Sequence, residues 1–255
     1  MRRARALWLG RRRYDPVHRL QQSLHEARGE GRGDDVILLV EHEPVITLGR
    51  AADRDNVLLA SEALAARGVD LVETGRGGDV TYHGPGQLVG YPILDLKPER
   101  CDVRRYVRAL AEVMVLFARE HGIEAGVVDG MIGVWADAES PHAWAGSAWS
   151  SRLEKIGAIG VRLSRWVTMH GFALNLTTDL DAFGMIVPCG IREYGVSSVA
   201  RLSGVSLEVD PIALAAAPML ARGLEYEVPP VDDRRGATLE EVERELLGPV
   251  VTAEG

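Results

Sequence analysis

The sequence predicts an α+β fold, a mixed, largely antiparallel β-sheet flanked by α-helices. The chain carries many short β-branched, apolar runs but few helices long enough to connect parallel strands, which disfavours a doubly wound parallel sheet. Its 255 residues suit one large domain or two small ones. Its composition, 46% hydrophobic and 26% charged, is typical of a folded globular protein.

The predicted elements follow one another in order along the chain. Leu20, Leu24 and Ala27 recur at helical spacing and predict a first helix over residues 14–28. The clearest helix opens at Asp102, carries a continuous apolar stripe and stops at Gly122. Strands are predicted at 36–40, 45–48, 69–73, 88–96, 123–128, 133–136, 155–163 and 167–176, with a short helix at 61–67 and a hairpin connection at S-R-W.

The C-terminal part is predicted to be helical and then loosely attached. Residues 141–151 show neither the helical nor the strand period of apolar residues, which predicts an exposed loop. Residues 211–220 predict an alanine-rich helix. Pro229, Pro230 and the D-D-R-R-G that follows indicate a linker. We therefore expect a catalytic domain over 1–228 and an extension over 229–255, with a short helix at 238–247 and a flexible tail.

Charge and cysteine content restrict the partners and the compartment. The net charge of −8 disfavours general nucleic-acid binding, although arginines crowd the first fourteen positions and recur at 104–108. No apolar segment follows the N-terminal arginines, and no run approaches a membrane span. Two cysteines far apart do not indicate a disulfide framework. We expect a cytoplasmic monomer that binds neither nucleic acid nor membrane.

The most unusual stretch is G-R-G-G-D-V-T-Y-H-G-P-G-Q at residues 75–87. It holds five glycines, more than the two or so that a tight turn between strands requires. The stretch lacks the P-loop lysine and the third glycine of the dinucleotide motif, so a nucleotide site is disfavoured. Its backbone donors and Arg76 remain able to bind a carboxylate, a phosphate or a carbonyl.

The two cysteines are the candidate nucleophiles. Cys189 lies in I-V-P-C-G-I, where a proline and a glycine predict a sharp turn that presents the thiol to a substrate. Cys101 precedes a helix, whose dipole favours a thiolate, and has arginines nearby. Either cysteine is equally compatible with the ordinary role of a small buried residue.

Lysine and histidine supply the remaining candidates. The sequence has only two lysines, Lys97 and Lys155, so a task that needs a titratable amine falls to one of them. Lys155 leads into the apolar K-I-G-A-I-G-V, but a solvated lysine at a strand end is the simpler interpretation. His83 and His170 each lie beside a glycine, and no ligand spacing indicates a metal site.

The chain resembles a known family in three motifs that occur in the same order. They are R-G-G-D-V-T-Y-H-G-P-G-Q, K-I-G-A-I-G and P-C-G-I. With E-H-E-P-V-I-T-L-G-R, G-Y-P-I-L-D-L and H-G-F-A-L-N-L, the sequence resembles the lipoate-biosynthesis octanoyltransferases over residues 14–226. The resemblance implies the fold of the biotin and lipoate protein ligases. The loop at 141–151 and the tail after Pro229 depart from the family pattern.

The resemblance also implies which residues act. Cys189 stands where the family has its acyl-accepting nucleophile, and Lys155 where it has the lysine that activates the thiol. No cofactor and no metal are implied, because a thioester donor is already activated. The residues implied to line the acyl-substrate pocket are Arg76, Gly77, Gly78, Asp79, Val80, Thr81, Tyr82, His83, Ala158, Ile159, Gly160, His170, Gly171, Phe172 and Ala173.

The implied reaction moves an octanoyl group from octanoyl-acyl carrier protein to a lysine of a lipoyl domain, in 2-oxoacid dehydrogenases or in the glycine cleavage H protein. These partners are typically acidic, so a local basic face is expected, with Arg76 and the 104–108 cluster as candidates. Two alternatives stay open. An ATP-dependent lipoate or biotin ligase would not need Cys189, and a non-catalytic acyl-binding protein would need neither Cys189 nor Lys155.

Overall fold

A computed structural model of the protein describes residues 1–187 and 194–248. The strands are β1 (Arg5–Arg12), β2 (Val36–His42), β3 (Val45–Leu48), β4 (Asp70–Glu73), β5 (Val80–His83), β6 (Gln87–Ile93), β7 (Gly126–Val128), β8 (Met131–Asp137), β9 (Leu153–Ser164), β10 (Val167–Asn175), β11 (Gly195–Val196) and β12 (Asp232–Asp233). The α-helices are α1 (Tyr14–Gly29), α2 (Ser61–Ala66), α3 (Val103–Glu120), α4 (Val199–Ser203), α5 (Val209–Leu214), α6 (Ala217–Leu224) and α7 (Leu239–Leu247).

Nine of these strands form one large sheet in the order β12-β1-β2-β6-β10-β9-β8-β7, with β11 added beside β9. The pairs β1–β2, β1–β12 and β9–β11 are parallel, and the other five are antiparallel. The predicted mixed, largely antiparallel sheet is therefore confirmed. The predicted hairpin is confirmed too, since Arg165 and Trp166 join β9 to β10 with positive φ angles of 51° and 65°, as a type I′ turn requires.

Helices cover both faces of the large sheet. On one face α3 packs against α6 and against β8, β9 and β10, and its N-cap Asp102 accepts a hydrogen bond from the Arg105 backbone N–H. On the other face α1 packs over β6 and β10. Each face has its own apolar core, one containing Leu110 and the other Leu20. Among the described residues, no helix is both long enough and apolar enough to cross a membrane.

A second, smaller sheet positions the glycine loop. Its three strands lie in the order β4-β3-β5 and enclose a small core around Ile46, Leu64 and Val80. The sequence interpretation treated residues 75–87 as a single loop, but the structure places β5 inside it, paired antiparallel with β3. The loop is therefore a short glycine turn at 75–79, a strand, and a second turn at 84–86 that leads into β6.

Two further differences from the expected elements concern the flanks of the chain. The sequence analysis overlooked β1, which lies between β2 and β12 and has Leu7, Trp8 and Leu9 fully buried. The single helix expected at 211–220 is instead two helices, α5 and α6. Pro218 lies in the first turn of α6, where proline starts a helix well but prevents an earlier helix from continuing through it.

Residues 229–248 pack back onto the rest of the chain. β12 extends the sheet beyond β1, and α7 lies against α1 on the same face of the sheet. Arg5 of β1 binds the carboxylates of Asp232 and Glu245 at 2.9 and 2.7 Å. Val242 of α7 is buried against the core beneath α1. The last strand and the last helix described are thus part of the same layered structure.

Candidate active site

A pocket opens where the glycine loop of the small sheet meets β6, β9 and β10 of the large sheet. It spans about 780 Å³ with its mouth. The residues that line it are Tyr14, Arg76, Gly78, Val80, Thr81, His83, Gln87, Val89, Tyr91, Lys155, Gly157, Ala158, Ile159, Gly160, His170, Gly171, Phe172, Ala173, Asn175, Phe183 and Val196. Most of these are small or apolar, which suits an extended hydrocarbon chain.

Most of the expected site residues meet in this pocket. Lys155 and the members of the three expected segments line it, except for Gly77, Asp79 and Tyr82. The Asp79 carboxylate turns the other way and accepts hydrogen bonds from the Asp53 backbone N–H at 3.0 Å and the Asn56 amide at 2.6 Å. Tyr82 packs into the small-sheet core, edge-on to Phe183. Cys189 lies outside the described residues.

Arg76 holds the glycine loop together. Its side chain is buried and donates to the carbonyl and the hydroxyl of Thr47 at 2.6 and 3.1 Å. It also donates to the backbone carbonyls of Asp79 at 2.7 Å and Gly77 at 3.1 Å. These contacts tie both ends of the turn to β3. The expectation that Arg76 forms part of a docking surface is therefore wrong, because the guanidinium is buried rather than presented to solvent.

Glycines on β9 and β10 let neighbouring layers approach closely at the pocket wall. A Cβ atom at Gly171 would lie 2.1 Å from the Gly90 carbonyl oxygen, and one at Gly157 would lie 2.6 Å from the sulfur of Met114. Contacts that short exclude any side chain at these positions. The glycines of H-G-F-A-L-N-L and K-I-G-A-I-G thus allow close packing around the pocket and also leave space within it.

A buried hydrogen-bond network runs along the β5–β6 side of the pocket. His83 Nδ1 donates to Gln87 Oε1 at 2.6 Å, and the Gln87 amide donates to Asn175 Oδ1 at 2.9 Å. Asn175 in turn donates to the Ser197 carbonyl at 3.0 Å, and the Ser197 N–H donates to the Lys155 carbonyl at 3.0 Å. Burial lowers the pKa of His83 to about 3, so this imidazole is neutral near pH 7.

His170 occupies a strained backbone position with φ of 59°, which non-glycine residues adopt only under constraint. Its backbone N–H donates to Gln21 Oε1 at 3.2 Å, and its ring stacks on His18 with centroids 5.5 Å apart. Its buried Nε2 makes no hydrogen bond with the described part of the chain. Burial, reinforced by His18 and by nearby arginines, lowers the pKa of His170 to about 3.

Lys155 is half-buried on β9, where β8 and β11 both pair with it. Its Nζ lies 5.5 Å from the centroid of the Trp135 ring. The competing thiol, Cys101, does not line the pocket; it lies before α3 and contacts the Leu96 carbonyl at 3.8 Å. Over residues 1–187 and 194–248, no three acidic, histidine or cysteine side chains converge as metal ligands would.

Sequence reasoning missed several pocket residues, above all Gln87 and Asn175. Gln87 closes the glycine loop, and Asn175 is the one polar residue in the A-L-N-L run of β10. A polar side chain in an otherwise buried strand needs a hydrogen-bond partner, and that signal was available at Asn175. Tyr14 and Tyr91 gave no comparable signal, because each fits the apolar face of its own helix or strand.

Comparison with solved structures defines the class of fold. A bipartite lipoate protein ligase from Thermoplasma acidophilum superposes with a TM-score of 0.67 at 17% identity, over 97% of this chain and 92% of that one. A lipoate-protein ligase A bound with ATP gives a TM-score of 0.62 at 18% identity, over 96% and 94%. The protein therefore has the lipoate protein ligase fold, as the sequence resemblance implied.

Sequence comparison then defines the family. Residues 14–217 match the lipoyl protein ligase A/B catalytic domain. An octanoyltransferase from Koribacter versatilis is 47% identical over 80% of this chain and 77% of its own length. One from Solibacter usitatus is 44% identical over 87% of this chain and 93% of its own length. One from Myxococcus xanthus is 49% identical over 82% of this chain, which spans only 56% of that relative's length. The chain belongs to the octanoyltransferases of this family, which are acyltransferase enzymes.

Proposed function

We propose that the protein transfers an octanoyl group from octanoyl-acyl carrier protein to a lysine of a lipoyl domain through a thioester on Cys189. The observation that carries the proposal is the pocket itself, a narrow cleft of small and apolar residues with Lys155 on its wall. An eight-carbon chain needs such a cleft, and an acyl transfer through a thiol needs a group to take up the thiol proton.

The reaction proceeds in two half-reactions. The Cys189 thiol gives its proton to the neutral amine of Lys155, and the thiolate attacks the octanoyl thioester. The carbon–sulfur bond of the donor breaks, and the Lys155 ammonium returns a proton to the departing pantetheine thiolate. The neutral amine of the acceptor lysine then attacks the acyl-enzyme, an amide forms, and the carbon–sulfur bond to Cys189 breaks. The proton lost from the attacking nitrogen passes through Lys155 to the Cys189 thiolate, which restores the thiol.

The acceptors that fit this scheme are the lipoyl domains of 2-oxoacid dehydrogenases and the glycine cleavage H protein. Transfer needs no ATP, because the thioester supplies the free energy for amide formation. The pocket histidines do not compete for the thiol proton: with pKa values of about 3, His83 and His170 are much weaker bases than an amine. Lys155 is therefore the proton acceptor in the scheme.

Intact-mass analysis tests the proposal. Incubation with octanoyl-acyl carrier protein, without ATP, should add one octanoyl group to the wild-type protein, and a lipoyl domain added afterwards should remove it. Cys189→Ser should form no acyl-enzyme and no product, because a serine hydroxyl ionises far less readily than a thiol. Cys101→Ser is the matched control and should keep both steps. Acylation that persists in Cys189→Ser, or that requires ATP, would contradict the proposal.

A further inference from the structure

A β-bulge lies beside Lys155. Val134 of β8 pairs with Gly157 of β9, but the next residue, Trp135, pairs with Lys155. One extra residue of β9, Ile156, therefore has no counterpart on β8. A bulge bends its strand and redirects neighbouring side chains, and bulges are common beside active sites. Here the bulge separates Lys155 from Gly157, and both residues line the pocket.

Gly133 of β8 faces the stem of the same lysine. Its φ is 133°, and a Cβ atom at this position would lie 2.5 Å from Cε of Lys155 and 2.5 Å from the Gly157 carbonyl oxygen. Contacts at that distance cannot be accommodated without moving the lysine or the β9 backbone. The absence of a side chain at Gly133 thus creates the channel through which the Lys155 side chain runs.

Trp135 also lies beside the amine end of the lysine. Its indole is 1% exposed, and Lys155 Nζ lies 5.5 Å from the ring centroid, within the roughly 6 Å range of a cation–π contact. The ring itself is held in place, since Nε1 donates to the Met131 carbonyl at 3.3 Å and Tyr194 packs against it edge-on. A fixed aromatic face beside an ammonium favours the charged form of the amine.

We propose that Trp135 and Gly133 are positioning residues for Lys155. Gly133 clears the path of the side chain, and Trp135 holds its ammonium group by a cation–π contact. The catalytic consequence rests on the proposed function: when the thiol gives its proton to Lys155, Trp135 stabilises the ammonium that forms. The placement of Lys155 can be tested without turnover.

Other titratable side chains lie in the same pocket as Lys155 or next to it on β9, and a change to the Trp135 ring replaces none of them. Arg76, His83 and His170 line the same pocket. Glu154 precedes Lys155 on β9, is buried and binds Arg152 at 3.3 Å. The flanking strands and turns also carry Asp129 before β8, Asp137 of β8 and Tyr194 before β11. A change confined to the Trp135 ring therefore isolates the cation–π contact from these electrostatic neighbours.

The titration of Lys155 can be followed directly, because Lys97 is the only other lysine in the sequence. Protein labelled with ¹³C at lysine Cε should give two side-chain signals, which Lys155→Arg assigns. Fluorinated tryptophan withdraws electron density from the ring face with little change in shape. It replaces all five tryptophans, but among the described residues only the Trp135 ring lies beside Lys155, so the Lys155 midpoint should move to lower pH. We expect a shift of roughly half a pH unit, or about threefold more neutral amine at a given pH. The Lys97 midpoint should not move.

Substitutions provide the second measurement. Trp135→Leu should lower the Lys155 midpoint as far as fluorination does or further, and should lower kcat about tenfold with little change in KM. Trp135→Phe keeps an aromatic face and should recover most of kcat. Gly133→Ala should move the Lys155 signal and lower kcat at least tenfold. Gly130→Ala is its matched control: φ there is 78°, but no described atom lies within 4 Å of the added Cβ.

An unchanged Lys155 midpoint in the fluorinated protein would overturn the role of Trp135, and this result is available even if Trp135→Leu does not fold. An unchanged midpoint in a folded Trp135→Leu variant would overturn it as well. Equal effects of Gly133→Ala and Gly130→Ala on the Lys155 signal would overturn the role of Gly133. The proposed function fails separately, if Cys189 is never acylated. The titration would in that case still report whether the two residues position the lysine.

Discussion

Three histidines in the pocket or beside it illustrate how burial determines the role of a single side chain. His42, His83 and His170 are each nearly or fully buried, and burial lowers their pKa values to about 4, 3 and 3. All three are neutral near pH 7, so they act as hydrogen-bonding groups. His42, for example, lies 2.8 Å from the Tyr91 hydroxyl through Nε2. Neutral imidazoles also leave the pocket wall compatible with an apolar chain.

The lowered pKa values predict that the protein loses stability in acid. An unfolded histidine takes up a proton below pH 6.5, whereas these folded histidines do not until the pH falls to about 3 or 4. The free energy of unfolding should therefore fall as the pH drops from 6.5 towards 4, by up to about 1.4 kcal/mol per pH unit for each histidine. His83→Gln should reduce this slope, as measured by urea unfolding at pH 7, 6 and 5.

The matched control for His83→Gln is His142→Gln, because His142 is exposed in the folded protein. Its replacement should leave the slope between pH 5 and 7 unchanged. An identical slope in wild type and His83→Gln would mean that His83 takes up its proton in the folded state as easily as in the unfolded one. That result would contradict its burial among Tyr14, His42 and Gln87.

At the scale of single residues, the sequence predicted which residues lie together but not which contacts each of them makes. The motifs brought most pocket residues together correctly, since they lie in three compact segments. The same motifs did not reveal that Arg76 binds Thr47, because the two residues lie 29 positions apart and meet only through the pairing of β3 with β5. The motifs also did not show that Thr81 and His83 line the pocket while Tyr82 points away from it. That alternation follows only once these residues are assigned to strand β5.

Among the elements, α7 shows how local sequence and tertiary packing combine. Thr238 accepts a hydrogen bond from the Glu241 backbone N–H, and the Glu241 carboxylate accepts one from the Thr238 N–H, which forms a capping box. We expect Thr238→Ala to lower the free energy of unfolding by about 1 kcal/mol, because the Glu241 backbone N–H loses its side-chain partner. Thermal or urea unfolding of the full chain measures this change.

The control for the cap is Thr238→Ser, which keeps the side-chain oxygen and should stay within about 0.5 kcal/mol of wild type. An unchanged stability in Thr238→Ala would mean that α7 contributes nothing to the cooperative unfolding unit. Its contacts argue otherwise, since Val242 is buried on the α1 face and Arg5 of β1 reaches Glu245.

Helices and strands with a clear period were predictable, and those that depend on distant partners were not. The apolar stripe of α3 predicted its extent almost to the residue. β1 was not predicted because its arginines interrupt the apolar pattern of a buried strand. Their charges are compensated by residues distant in sequence; Arg11, for example, forms an ion pair with Glu41 at 3.0 Å. The split between α5 and α6 was readable from Pro218, but the alanine-rich composition favoured one continuous helix.

At the scale of the whole molecule, the net charge of −8 opposes the approach of acidic proteins. Two arginines beside the pocket offset this locally. The Arg162 side chain covers the start of the glycine loop, since its Nη1 would lie 3.3 Å from a Cβ atom at Gly75. Arg19 is exposed on α1. Burial lowers the pKa of His18 and both arginines lower it further, and neither arginine has an ion-pair partner among the described residues.

We therefore expect the rate of acyl transfer from an acidic carrier protein to depend on salt. Raising the NaCl concentration from about 50 to about 200 mM should lower kcat/KM several-fold and leave kcat nearly unchanged, because salt screens the encounter rather than the chemistry. Arg162→Gln should lower kcat/KM at low salt and flatten this dependence. Arg104→Gln, on α3 and away from the pocket, is the control. A salt response identical in Arg162→Gln and wild type would exclude Arg162 from the encounter.

The parallel pairing of β1 with β12 has a consequence for how the chain is made. The ribosome makes β1 more than 200 residues before its outer neighbour, β12. Until residues 232–233 emerge, that side of β1 presents backbone N–H and C=O groups with no strand to bind them. The sheet that holds the pocket is thus completed on this side only after residues 232–233 have been made, and a nascent chain stalled before that point exposes an edge open to pairing with another copy.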